Sequence, residues 1–217
     1  MKLRALLMVA GCIASPALIG HQGEHGSSSP GPVAHATDAS ALAGPKEKAA
    51  RLFFTDRKLM TSRGEEVEFF SDVLKDRVVL INFFFTHCAD SCPLQSSKLS
   101  EVQALLGGLP ERDVHLVSIS VDPERDTPEE IKKYAEHFNA GEAWTFLTGK
   151  KEDVDAVVRR LGQLTPTAQA HTTLFILGNV RTGHWIKLHP DATPANIAAH
   201  LRTLASEVSP MPDAVSR

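Results

Sequence analysis

The chain has 217 residues, and its 23 basic and 26 acidic side chains leave a formal net charge of −3. This balance excludes a general nucleic-acid-binding protein, which needs a basic footprint, and no run of like charge is long enough to form an interaction tail. With 42% hydrophobic residues, a domain of roughly 150 residues can bury enough surface to fold without a stabilising cross-link.

The first 20 residues have the layout of an export signal. A basic start, Met1–Arg4, precedes an apolar stretch over residues 5–19, which is too short and interrupted to predict a spanning helix. Three fates are open: lipidation of Cys12 in a lipobox-like Val9–Cys12, cleavage after Ala36, or an uncleaved anchor. Each places the domain in the bacterial cell envelope on the periplasmic side, with membrane contact only through the N-terminus.

A flexible linker is predicted over residues 21–50, which are rich in Gly, Ser, Pro, Ala and His. A folded domain follows at 51–206, with a C-terminal tail at 207–217. At the start of the domain, Leu52–Phe54 and Glu66–Phe70 flank a turn at Ser62–Gly64 and predict a β-hairpin.

The apolar run Val78–Phe85 predicts a central strand that is buried on both faces. A helix follows it, and Thr127–Glu130 is a capping box that begins another helix. Further strands are predicted at 114–121, 144–147, 173–177 and 185–188, and further helices at 154–161 and 194–205. The pattern predicts an α/β domain with a central mixed sheet flanked by helices.

Cys88 and Cys92 lie between the central strand and the next helix, and this is the thioredoxin arrangement. A helix N-terminus stabilises thiolates, so the pair can form a local disulfide or bind a soft cation such as Cu(I). A structural disulfide would close too small a loop to gain much chain entropy, which favours a functional pair. The remaining cysteine, Cys12, is too far along the chain to be part of this motif.

His171 is the candidate third ligand. It precedes the predicted strand at 173–177, and in a thioredoxin topology the loop before that strand faces the cysteine helix. An added imidazole also suits Cu(II) or Zn(II). The other histidines of the domain have no spacing that pairs them with the cysteines and are predicted to be structural or surface residues: His115, His137, His184, His189 and His200.

Three stretches resemble the SCO/SenC family of cytochrome c oxidase assembly proteins. They are Val79–Pro93 with its cysteines, Ser118–Glu129 (SISVDPERDTPE) and Trp144–Gly149. The resemblance implies a thioredoxin-like fold with an extra N-terminal β-hairpin, and copper, as Cu(I) or Cu(II), bound by Cys88, Cys92 and His171. Around these residues the chain departs from the family's usual pattern, with Ala89 for a common Pro, and with Ala170 and Thr172 beside the histidine.

The resemblance also implies a function: a copper chaperone that assembles the CuA site of cytochrome c oxidase, whose partner is subunit II or another envelope copper protein. The alternative is a thiol–disulfide oxidoreductase that reduces the cysteines of such a partner, so the sequence leaves open whether the chain is an enzyme. A peroxiredoxin-type peroxidase is disfavoured because Thr86 lies two residues, not three, before Cys88, and no Pro precedes it in the motif. The domain is predicted to be monomeric.

Overall fold

The computed structural model of the chain describes residues 45–89, 91–107 and 114–207. The predicted export signal, Cys12, the linker up to residue 44 and the tail beyond residue 207 lie outside the described residues. None of the helices in the described ranges has the length and apolar content that a bilayer-spanning segment needs.

A seven-stranded mixed sheet forms the centre of the described part of the chain. Its strands run in the order β2-β1-β5-β4-β3-β6-β7, with β3, β4 and β5 parallel to one another and the other neighbours antiparallel. The strands are β1 Lys58–Thr61, β2 Glu66–Glu68, β3 Val78–Phe84, β4 Val114–Ser120, β5 Trp144–Thr148, β6 Phe175–Asn179 and β7 His184–Leu188. The helices are α1 Pro45–Phe54, α2 Ser91–Leu106, α3 Pro128–His137, α4 Lys151–Arg160 and α5 Pro194–Ser206.

Helices cover both faces of the sheet, as predicted. On one face α2, α3 and α5 contribute Leu99, Ile131 and Leu201 to a buried cluster, and on the other α1 and α4 contribute Phe54 and Val157. Every residue of β3 is buried, and alternate side chains along this strand enter the two clusters. The apolar run at 78–85 therefore forms a strand with a hydrophobic core on each side, which confirms the prediction of a central strand buried on both faces.

The N-terminal hairpin is present, but its first strand is not where the sequence predicted it. Leu52–Phe54 ends helix α1, and β1 pairs instead through Lys58–Thr61 with β2. The stretch before Leu52 is rich in Lys, Glu, Ala and Arg, which are strong helix formers. The three consecutive apolar residues Leu52–Phe54 also lack the alternation of apolar and polar residues that is typical of a half-buried strand. Helix α1 begins at Pro45, inside the range predicted as linker.

The register of the sheet determines where the site lies. Phe84 at the end of β3 is paired with Ser120 at the end of β4. Strand β6 is antiparallel to β3 and pairs Ile176 with Ile81, so the chain that enters β6 passes the carboxyl end of β3. The loops after β3 and β4 and the loop before β6 consequently meet at one edge of the sheet, where α/β proteins commonly bind ligands.

Candidate metal centre

Cys88 and Cys92 lie where β3 passes into α2. Cys88 is half-buried in the loop, and Cys92 is buried in the first turn of the helix. The backbone N–H of Cys92 donates to Cys88 Sγ at 3.4 Å, and the backbone N–H of Cys88 donates to the Phe85 carbonyl at 3.2 Å. No disulfide joins the two side chains in this structure, and the disulfide predicted from the sequence stays a prediction.

The electrostatics of the two sulfurs differ. Burial raises the pKa of the Cys92 thiol to about 12, and its hydrogen bond with Cys88 acts in the same direction, while the Phe85 backbone acts against both. Cys92 therefore holds its proton at neutral pH. The sulfur of Cys88 instead accepts a hydrogen bond from the helical N–H of Cys92, and a donor of this kind favours negative charge on sulfur.

His171 is buried in the loop before β6, after a short 3₁₀ turn at Ala168–Ala170. Its Nδ1 lies 2.5 Å from the carbonyl oxygen of Ala168. Since a carbonyl only accepts hydrogen bonds, Nδ1 carries a proton, and in the neutral ring the lone pair is then on Nε2. Nε2 is buried and has no hydrogen-bond partner in the described part of the chain, and this is the state of an imidazole prepared to bind a metal.

Phe85 connects the two halves of the site. Its carbonyl accepts from Cys88 and its backbone contacts the Cys92 thiol, while its ring meets the His171 ring edge-on at a centroid distance of 5.8 Å. Within the described ranges, however, no three His, Cys, Asp or Glu side chains are grouped closely enough to hold a metal ion. The structure thus joins the two cysteines directly and places His171 across Phe85 from them, and the three-ligand set stays a prediction.

The donor set fits copper in its chemistry. Two thiol sulfurs are soft ligands that suit Cu(I), and the imidazole nitrogen extends the set to Cu(II). Nε2 is buried and makes no hydrogen bond to any residue that the structure describes, and a buried polar atom without a partner is costly. Cys12, the third cysteine, lies outside the described residues.

Asp126 is the residue at this edge that the sequence analysis missed. Its carboxylate is fully buried and accepts hydrogen bonds from Ser120 Oγ at 2.5 Å, Thr86 Oγ1 at 2.5 Å and Thr86 N at 3.2 Å. Burial raises the pKa of Asp126, and these hydrogen bonds oppose the rise. Thr86 Oγ1 also lies 2.9 Å from Nδ1 of the exposed His87. The run Ser118–Glu129 was the available signal, but the sequence analysis used it only for the family resemblance and for the capping box at its end.

Comparisons with known proteins cover most of the folded domain. Residues 46–206 match the family model SCO1/SenC. The SCO2-like protein of Rickettsia felis is 37% identical over 102 residues, which are 47% of this chain and 47% of that relative. The chain thus spans less than half the length of this curated relative.

Two solved structures share the fold. Bradyrhizobium japonicum ScoI with copper bound has 31% identity and a TM-score of 0.56, with 68% of this chain and 96% of that chain covered. A SCO1/SenC family lipoprotein from Bacillus anthracis has 26% identity and a TM-score of 0.60, with 69% and 92% covered. The fold is therefore thioredoxin-like, as predicted, and the chain belongs to the SCO1/SenC family.

Proposed function

We propose that this chain is a copper chaperone that binds one copper ion through Cys88 Sγ, Cys92 Sγ and His171 Nε2. The observation that carries the proposal is the buried Nε2 of His171, which has no partner among the described residues while Nδ1 is held by the Ala168 carbonyl. The bound copper of Bradyrhizobium japonicum ScoI supports it, since that protein is related to this chain over most of the folded domain.

The resemblance to cytochrome c oxidase assembly proteins supports a proposed recipient. Copper would pass to the CuA site of subunit II, or to another envelope copper protein with a similar thiol-rich site. The exposure of the two sulfurs suits such a transfer, because Cys88 is half-exposed and can be approached by an incoming thiolate while Cys92 is covered. In this role the chain is a binding protein, and copper is its cargo.

A copper titration of the reduced full chain tests the proposal. We expect one copper per chain and a thiolate-to-Cu(II) charge-transfer band, with weaker binding in Cys88→Ser, Cys92→Ser and His171→Ala. His189→Ala is the matched control, because His189 is exposed and pairs only with the exposed Asp191. Wild-type affinity in His171→Ala would overturn the three-ligand site, and absence of stoichiometric copper in the wild type would overturn the proposed function.

Thiol–disulfide exchange is the second candidate function, and the unequal cysteines favour it. Cys88 is accessible and accepts a helical N–H, whereas burial keeps Cys92 protonated. In such a reaction the Cys88 thiolate attacks a client disulfide and releases one client thiolate. Cys92 then attacks the mixed disulfide as its proton passes to the departing client sulfur, which leaves a Cys88–Cys92 disulfide and a second client thiol. Metal-free reduction of a model disulfide that persists in His171→Ala supports this function, and inert kinetics contradict it.

We infer that the domain works outside the cytoplasm, held at the membrane by its N-terminal segment alone. The basic and apolar order of residues 1–20 supports export, and the related Bacillus anthracis protein is described as a lipoprotein. Metabolic labelling with a fatty acid, compared between wild type and Cys12→Ala, separates the alternatives. Label that is lost in the variant indicates lipidation, and an unlabelled but shortened chain indicates cleavage.

A further inference from the structure

Asp126 occupies a position that a stability role does not readily explain. It is a carboxylate with none of its surface exposed, and burying such a group is unfavourable unless specific hydrogen bonds compensate. Helix α3 does not need it as a cap, because Thr127 is the N-cap residue and its hydroxyl accepts from the Glu130 N–H. The side chain therefore serves something other than the start of α3.

The bonds of Asp126 lead to the cysteine loop. Two of its three donor groups belong to Thr86, which donates through its backbone N–H and through its hydroxyl. Thr86 lies two residues before Cys88, at the point where the chain leaves β3. The third donor, Ser120 Oγ, belongs to the end of β4, which is paired with the end of β3. Asp126 thus ties the start of the cysteine loop to a fixed point on the sheet.

We propose that Asp126 is a positioning residue for the copper site, which acts through Thr86 to set where Cys88 Sγ stands relative to Cys92 Sγ. The position of Cys88 depends on the loop, because Cys92 is fixed in the first turn of α2 while Cys88 is in irregular chain. A metal ion that both sulfurs bind requires a fixed distance between Cys88 Sγ and Cys92 Sγ. The proposal rests on the proposed copper-binding function.

Four variants of the full chain test it. Asp126→Asn places an amide N–H₂ where a donor already points, and Thr86→Val removes the hydroxyl while keeping the shape. Thr86→Ser restores the hydroxyl. Thr145→Val is the matched control, because it also deletes a threonine hydroxyl bonded to a buried titratable side chain, that of His115, but has no hydrogen bond to the cysteine loop.

We expect Thr86→Val and Asp126→Asn to lower copper affinity by about 10- to 100-fold, as changes around metal ligands typically do, and to shift the thiolate-to-Cu(II) band. Thr86→Ser should bind as the wild type does, and Thr145→Val should keep affinity and spectrum even if its unfolding midpoint falls. Unchanged affinity and spectrum in Thr86→Val would overturn the proposal. Should Asp126→Asn not fold, the Thr86→Val and Thr86→Ser pair decides alone.

A metal-free readout separates this proposal from the proposed function. The rate at which iodoacetamide alkylates Cys88, followed by peptide mass spectrometry in the absence of copper, depends on the position and surroundings of that sulfur. A changed rate in Thr86→Val, restored in Thr86→Ser, supports positioning even if the wild type binds no copper. An unchanged rate contradicts it even if the wild type binds copper well.

Discussion

Two buried histidines lie at opposite edges of the sheet, and they differ in which ring nitrogen has a hydrogen-bond partner. His115 is near the amino end of β4, where its Nε2 lies 2.8 Å from Thr145 Oγ1. His171 is at the carboxyl edge beside the cysteines, with Nδ1 held by a carbonyl and a buried Nε2 that has no partner within the described residues. The comparison separates a histidine that the fold uses for its own hydrogen bonds from one that it holds ready for a ligand.

The same contrast extends to the surroundings of the two edges. Burial lowers the pKa of His115 to about 4, and the nearby cations of Arg77 and Arg63 act in the same direction. Beside the cysteines the described polar groups include Ser91 and the hydrogen-bonded pair Thr86 and Asp126. The amino edge thus has two arginines near its histidine, while the carboxyl edge has the two sulfurs that a soft cation prefers.

The largest expected effect comes from substituting each of the two histidines in turn and comparing the losses of copper affinity. His171→Ala should weaken copper binding by more than the roughly 100-fold that marks the upper end of changes outside the ligands, because it removes a ligand. His115→Gln should leave the copper affinity unchanged. A competition titration against a copper chelator measures both, and equal losses in the two variants would show that the contrast between the edges has no bearing on copper.

Acid should destabilise the amino edge through His115. Its folded-state pKa of about 4 lies below the ordinary value of 6.5, so the unfolded chain binds the proton first as the pH falls. Stability is therefore lost between pH 6.5 and 4, by on the order of 3 kcal/mol at the lower end. Urea unfolding of wild type and His115→Gln at several pH values gives two curves of the free energy of unfolding against pH. The difference between these curves is the contribution of His115.

The carboxylates of the protein titrate in the wild type and in His115→Gln alike. Their contribution therefore cancels from the difference between the two free energies of unfolding. A difference between the two free energies of unfolding that does not change from pH 7 to pH 4 would contradict the burial of a neutral His115. His189→Gln provides a matched control, because this histidine is exposed and its substitution should not alter the shape of the curve.

Copper affinity should rise with pH, because the site binds a thiol that is protonated when empty. Cys92 keeps its proton at neutral pH, and copper must displace it, so the apparent Kd should fall about tenfold per pH unit for each proton released. Titrations at pH 6, 7 and 8, corrected for proton binding by the competing chelator, give the slope. A flat profile would contradict Cys92 as a ligand.

Local patterns in the sequence predicted more of the fold than of the bonding at the site. The apolar run of β3 and the capping box at Thr127 are determined by neighbours along the chain, and both were predicted correctly. The link between Thr86 and Asp126 joins residues 40 positions apart, and no periodicity encodes it. The Nδ1 bond of His171 is local, yet it depends on a 3₁₀ turn that the sequence around Ala168 does not mark.

The smallest expected effect concerns Phe85, which lies between the cysteines and His171. Its edge-on contact with the imidazole contributes about 0.5–1.5 kcal/mol in typical aromatic pairs, and its backbone bonds do not depend on the side chain. Phe85→Leu should therefore lower the free energy of unfolding by about 1 kcal/mol and weaken copper binding by less than tenfold. Phe138→Leu, at a buried ring that contacts Tyr134 rather than His171, is the matched control for stability. If Phe85→Leu weakens copper binding as much as His171→Ala does, the ring and not the Ala168 carbonyl holds the imidazole in place.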